Sequence, residues 1–224
     1  MRKPTPRTSL GFTLLELLVY SLLLGFVMFC IYGILVSAIR YFRTEQAAIE
    51  LQGAALAAVS NMSADLIDTD ADTIAITNGT TDTLVSSGTA GKAIKFASPR
   101  TASGGFTQDG SGNLMWQKWV CYYVDSSNWL HCSEIYFGTG YTPTAATSTA
   151  PANTSAPTLV QFQASSNHRI IARNVSSSNG IQYTLTNTTT VSINAWFEQS
   201  VFSNASGTND NKCQIQDQVR TRNN

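Results

Sequence analysis

Leu10-Gly11-Phe12-Thr13-Leu14-Leu15-Glu16-Leu17-Leu18-Val19 joins a basic stretch to a long apolar run and sets one carboxylate inside that run. Residues 1–10 carry Arg2, Lys3 and Arg7 and no acidic side chain, and the positive-inside bias keeps such an end in the cytoplasm. Residues 17–39 hold no Asp, Glu, Lys or Arg. At about 1.5 Å per residue a helix of that length reaches roughly 35 Å, enough to span a hydrocarbon core with some tilt. An ionisable group near the end of such a span is costly unless a counter-charge neutralises it, so Glu16 marks a functional position whose partner has to be found.

A secretory signal peptide also combines a basic start with an apolar core, and Val36-Ser37-Ala38 has the small residues of a cleavage site. Signal-peptide cores run to about 7–15 residues. This run is much longer and starts from a glutamate, which favours a membrane helix.

The junction quoted above resembles the class III leader of type IV prepilins and of type II secretion pseudopilins. The resemblance implies that a membrane-embedded prepilin peptidase cuts between Gly11 and Phe12 and that the new Phe12 amine is N-methylated. Gly11 suits a scissile position, since a residue without a side chain lets a protease approach the backbone closely. The resemblance also implies that Glu16 pairs with the Phe12 amine of a neighbouring subunit and so sets axial register as subunits leave the bilayer. The residues alone offer a second reading, in which Glu16 favours its own helix N-terminus, as acidic groups in a first turn do.

Beyond the span the pattern changes. Arg40, Arg43, Glu45 and Glu50 appear, while Ala48, Leu51, Ala55, Val59, Met62 and Leu66 continue at helical spacing. One helix is therefore expected over residues 12–67, apolar all round over 12–39 and striped beyond, with residues 1–11 as a leader and 68–224 as a head. Asp65, Asp68, Asp70 and Asp72 fall at its end. Their alternation matches half of a calcium loop, but no turn glycine or bidentate glutamate follows, so they read as a solvated helix exit.

The head is rich in Ser, Thr, Asn and Gly, and only 12 % of all residues are charged, which suits turn-rich β structure. Strands are expected over residues 73–77, 81–86, 93–97, 116–124, 129–137, 159–164, 168–175, 181–186 and 190–200, with a Gly/Ser-rich loop over 98–113 and an exposed linker over 138–158. The expected fold class is α+β and pilin-like, a long N-terminal helix packed on an antiparallel sheet. Ala97-Ser98-Pro99-Arg100, Trp116-Gln117-Lys118, Tyr122-Tyr123-Val124-Asp125 and the Arg222-Asn223 ending resemble J-type pseudopilins and W-type minor pilins.

A hairpin centred between Ser126 and Ser127 would set Cys121 opposite Cys132, with Cα atoms about 4.5–5.5 Å apart and within reach of a disulfide. Cys213 would be left over, although it could instead bond either partner. No Cys-x-x-Cys, Gly-x-Ser-x-Gly, phosphate loop or His-Glu-x-x-His is present, so neither a metal, a cofactor nor an enzymatic activity is expected. Without the three leader cations the chain holds 11 Lys and Arg against 14 Asp and Glu, a balance with no general attraction for nucleic acid.

The resemblance implies a minor subunit of a type IV pilus or type II secretion pseudopilus, held in the inner membrane with its N-terminus cytoplasmic and its head periplasmic, and built into a tip complex that primes assembly. Its implied partners are prepilin peptidase, other pilin or pseudopilin subunits, the inner-membrane assembly platform and, before assembly, membrane lipid. The competing reading is a surface-binding module, an adhesin or ligand-binding head that the leader merely delivers.

Overall fold

Mostly helix-forming residues, broken only by Gly25, Gly33 and Gly53, and the absence of proline carry the first element, α1 (Leu14–Ile67), through 54 residues. In the computed structural model, residues 13–79, 82–138, 145–186, 189–204 and 207–221 are described. The Gly11–Phe12 junction lies outside them. The chain divides into two units, Met1–Gln46 and Ala47–Asn224. In the first, the described residues form a single helix whose apolar side chains from Leu14 through Phe42, all but Val36, are exposed. It is long and apolar enough to cross a membrane.

The second unit begins inside α1 at Ala47. Here the helix becomes one-sided: Leu51, Ala55, Ala58, Val59, Met62 and Leu66 are buried, spaced as one face of a 3.6-residue repeat. Among the described residues eight strands follow: β1 (Ala75–Thr77), β2 (Ala93–Ser98), β3 (Lys118–Val124), β4 (Leu130–Tyr136), β5 (His168–Ala172), β6 (Ile181–Thr186), β7 (Thr190–Asn204) and β8 (Gly207–Arg220). They form two antiparallel sheets, ordered β1-β2-β3-β4-β5 and β6-β7-β8. The buried stripe of α1 packs with Ile94, Phe96, Val120, Tyr122 and Cys132 of the first sheet and Tyr183, Val191, Ile193 and Phe197 of the second. The fold is α+β.

Gly91 couples the sheets, since its N–H donates to the Tyr183 carbonyl and its own carbonyl accepts from Tyr183 N–H, both at 2.8 Å. A Cβ there would stand 2.5 Å from the Thr77 carbonyl oxygen and strike Ile76. Only glycine fits without displacing backbone.

The other face of the first sheet carries a separate core of Trp116, Trp119, Cys121, Tyr123 and Ile135 under Leu159 and Phe162. Those last two residues belong to α2 (Leu159–Ala164), a helix where a strand was expected. Thr158 and Gln161 explain the difference by forming a reciprocal capping box, which nucleates a helical turn despite an alternating apolar pattern. Residues 82–86 also fall short of a strand and offer only a single bridge, Thr77 to Leu84. The expected loop over 98–113 is partly laddered, through bridges Arg100 to Phe106 and Gln108 to Leu114.

The β3–β4 hairpin forms in a register one residue from the expected one. Asp125 N–H donates to the Trp129 carbonyl, Asn128 takes a left-handed φ of 62°, and the Asp125 carboxylate accepts from Ser127 and Trp129 N–H at 2.9 Å. The turn is therefore a three-residue loop centred on Ser127, a type that ends in a left-handed residue. A shift of one residue sends every side chain to the opposite face. Cys121 now faces Ser133 and Cys132 faces Tyr122. The two cysteines lie in different cores, both are free thiols, and the expected Cys121–Cys132 disulfide is replaced by two buried, separated sulfurs.

Candidate functional site

Thr13 opens α1 and Glu16 sits three residues later, the spacing of a capping box. Glu16 Oε2 accepts from Thr13 N–H at 2.9 Å and from Thr13 Oγ1 at 3.0 Å, while Glu16 N–H donates to Thr13 Oγ1 at 3.3 Å. Leu17 N–H closes the first turn on the Thr13 carbonyl at 3.2 Å. Glu16 thus caps its own helix, and the Thr13-x-x-Glu16 signal that shows this was legible in the sequence. Capping engages one carboxylate oxygen. Among the described residues Oε1 carries no hydrogen bond, so self-capping and pairing with an outside cation are compatible in one side chain. Gly11 and Phe12, the expected cleavage and methylation positions, lie outside the described residues.

At the other end of α1 three of the four aspartate carboxylates find a structural use. Asp65 accepts the Tyr122 hydroxyl at 2.6 Å, Asp68 accepts Arg100 Nε at 2.8 Å, and Asp70 caps a short 3-10 turn (Ala71–Thr73) by accepting Asp72 N–H at 3.0 Å. Burial and then the nearby Cys132 and Asp65 push the Tyr122 hydroxyl well above the usual tyrosine range, so it remains a proton donor. These bonds fasten the helix exit to the first sheet, a role sequence spacing alone did not reveal because Arg100 and Tyr122 lie far along the chain. A small cleft of about 180 Å³ borders Asp68 and Asp70 beside Trp116.

Buried ion pairs fasten the α2 side. Lys95, 5 % exposed at its side chain, bonds Asp82 at 2.9 Å and the Pro157 carbonyl at 3.1 Å. Asp82 in turn accepts from Leu159 N–H at the start of α2 at 3.1 Å. On β3 and β4, Lys118 pairs with Glu134 at 2.8 Å. Burial works against the Glu134 charge, but hydrogen bonds from Lys118 and Tyr136 outweigh it and hold its pKa below the usual glutamate value.

The cysteines are chemically quiet. Burial raises the Cys121 thiol well above its ordinary value and lifts Cys132 to about 11, against a smaller opposing pull from Arg169. A buried thiol is a poor nucleophile, since the thiolate is the reactive form. Cys213 on β8 is half-buried and its pKa is likewise raised by burial. A cleft of about 480 Å³ borders β4 and the start of β5, lined by Glu134, Tyr136, Asn167, His168 and Arg169 with Cys132 at its wall.

Sequence reasoning missed one grouping, the chain's two histidines. His131 lies flat against Tyr123, with centroids 5.3 Å apart and planes at 10°, and its Nε2 meets Asp125 at 3.1 Å. Burial opposes the Asp125 charge, yet Trp129 N–H, His131 and Ser127 N–H together lower its pKa, so it is an ionised acceptor at neutral pH. The histidines are 37 positions apart in sequence, and only the β4–β5 pairing brings them together.

No family model matches the chain, and no curated protein or solved structure matches it. The residues themselves carry what can be said of function.

Proposed function

We propose that this chain is a minor pilin or pseudopilin, anchored in the inner membrane by the first half of α1, cut between Gly11 and Phe12, N-methylated at Phe12, and built into a type IV pilus or type II secretion pseudopilus. The carrying observation is one helix with two characters: apolar and exposed on all sides near a cappable glutamate, then one-sided where it packs on an antiparallel head. A bilayer serves as solvent for the first half before assembly, and neighbouring helices replace it afterward.

Glu16 supports this reading chemically. One oxygen is held by Thr13, which fixes the direction of the carboxylate, and the other is open to a cation. In an apolar bundle a mismatched stagger would leave that charge unpaired, and the cost of an unpaired charge selects the stagger that supplies an amine. The basic leader sets the head on the periplasmic side.

The test separates capping from charge. Glutamine serves as well as glutamate at the third position of a capping box, so Glu16→Gln keeps the helix start and removes the charge. The full-length variant is expected to insert in the membrane as the parent does and to be lost from sheared filaments. Recovery in filaments at the parental level would overturn the registry role.

A further inference from the structure

His131 and His168 meet across β4 and β5 with ring centroids 6.0 Å apart and planes at 51°. Their hydrogen bonds fix both tautomers. His131 Nε2 faces the Asp125 carboxylate at 3.1 Å, and His168 Nδ1 faces the Ser165 carbonyl at 2.9 Å. Both oxygens can only accept, so each of those ring nitrogens carries the proton. The lone pairs are left on His131 Nδ1 and His168 Nε2. Among the described residues His131 Nδ1 is buried and has no hydrogen-bond partner, on a side chain only 11 % exposed. A buried polar atom without a partner is rare and asks for a ligand.

The geometry points to a binding site for a late first-row divalent cation, Zn²⁺ or Cu²⁺ in class, bridging His131 Nδ1 and His168 Nε2. A metal bonded at about 2.0–2.1 Å to one nitrogen of each ring lies roughly 3.2 Å from either centroid, so two such rings stand about 5.2 Å apart at a tetrahedral angle and about 6.4 Å apart when the two nitrogens are trans. The observed 6.0 Å falls inside that range. The oxygens behind the rings are those that metal-binding histidines use: a carboxylate on one and a backbone carbonyl on the other, each orienting its imidazole. Imidazole pairs suit zinc, copper and nickel over calcium or magnesium. Among the described residues no three His, Cys, Asp or Glu side chains converge, so water completes the coordination and the ion exchanges readily. Bound there, it would clasp the edge strand β5 to β4 next to the β4–β5 register shift between Leu130 and His131.

The test uses the full chain in detergent, titrated with Zn²⁺ near neutral pH, followed by calorimetry and by nitrogen-15 signals of the imidazoles. One ion per chain is expected, with shifts at His131 Nδ1 and His168 Nε2 and a rise in Tm, since a ligand that binds only the folded state stabilises it. His168 is exposed, so His168→Gln is expected to fold as the parent does, to weaken binding at least about tenfold, which is 1.4 kcal/mol, and to abolish the Tm rise. His131→Gln is expected to weaken binding as much. Zinc uptake that neither substitution alters, uptake that leaves the imidazole nitrogens unshifted, or no uptake at millimolar ion would each overturn the site.

Discussion

Leu66→Ala tests whether the second half of α1 is part of the head's core or merely runs beside it. Leu66 is fully buried among residues of both sheets. Truncation removes three carbons, for a transfer loss and a cavity term that together cost about 3–5 kcal/mol at well-packed leucines. Alanine is the better helix former, so none of the loss comes from the helix itself. In a cooperative unit of this size each kcal/mol moves Tm by about 2–4 °C, which predicts a drop of roughly 6–20 °C in the circular-dichroism melt of the full chain in detergent. Leu56, nearly three turns earlier and 60 % exposed, is the control, and Leu56→Ala is expected to stay within about 0.5 kcal/mol of the parent. Equal shifts for the two variants, or a Leu66→Ala loss below about 1 kcal/mol, would refute the packing described for α1.

Gly91→Ala forces a Cβ to within 2.5 Å of the Thr77 carbonyl and should cost about 1–3 kcal/mol as overpacking, whereas Gly110→Ala meets nothing within 4 Å and should be neutral; equal melts would contradict the sheet junction. Glu134 has a depressed folded pKa, so its contribution is complete above the unfolded glutamate value of about 4.3 and is lost as pH falls through the folded value. The stability difference between parent and Glu134→Gln should accordingly be constant near neutrality and shrink in acid, as urea melts from pH 7 downward would show. A gap that widens in acid would contradict the assigned sign.

Where local pattern and tertiary packing agree, the sequence was readable. The apolar span and the stripe at Leu51, Ala55, Val59, Met62 and Leu66 appear as expected, because a 3.6-residue repeat survives whatever packs on it. Strands β2 and β6 fall within a residue of their expected bounds, as short apolar runs set off by turn residues. The hairpin was found but its register was not, since one left-handed residue, Asn128, converts an even loop into an odd one and moves Cys121 and Cys132 to opposite faces. In α2 a capping box overrode the alternating pattern. Strand β8 was missed because polar and charged residues fill most of it, although Cys213, Ile215 and Val219 alternate as an inward face does. For the candidate sites, Glu16 was legible from its isolation among apolar residues, while Thr13 as its partner was overlooked. The histidine pair could not be read at all, because contact between β4 and β5 is a property of sheet order rather than spacing.

The proposed function requires that this chain mature at the Gly11–Phe12 bond and enter a filament through the helix that cleavage exposes. Mass spectrometry of the chain recovered from sheared filaments measures this directly. A polypeptide beginning at an N-methylated Phe12 is expected, and a chain that still begins at Met1 and stays wholly in the membrane fraction would overturn the proposed function.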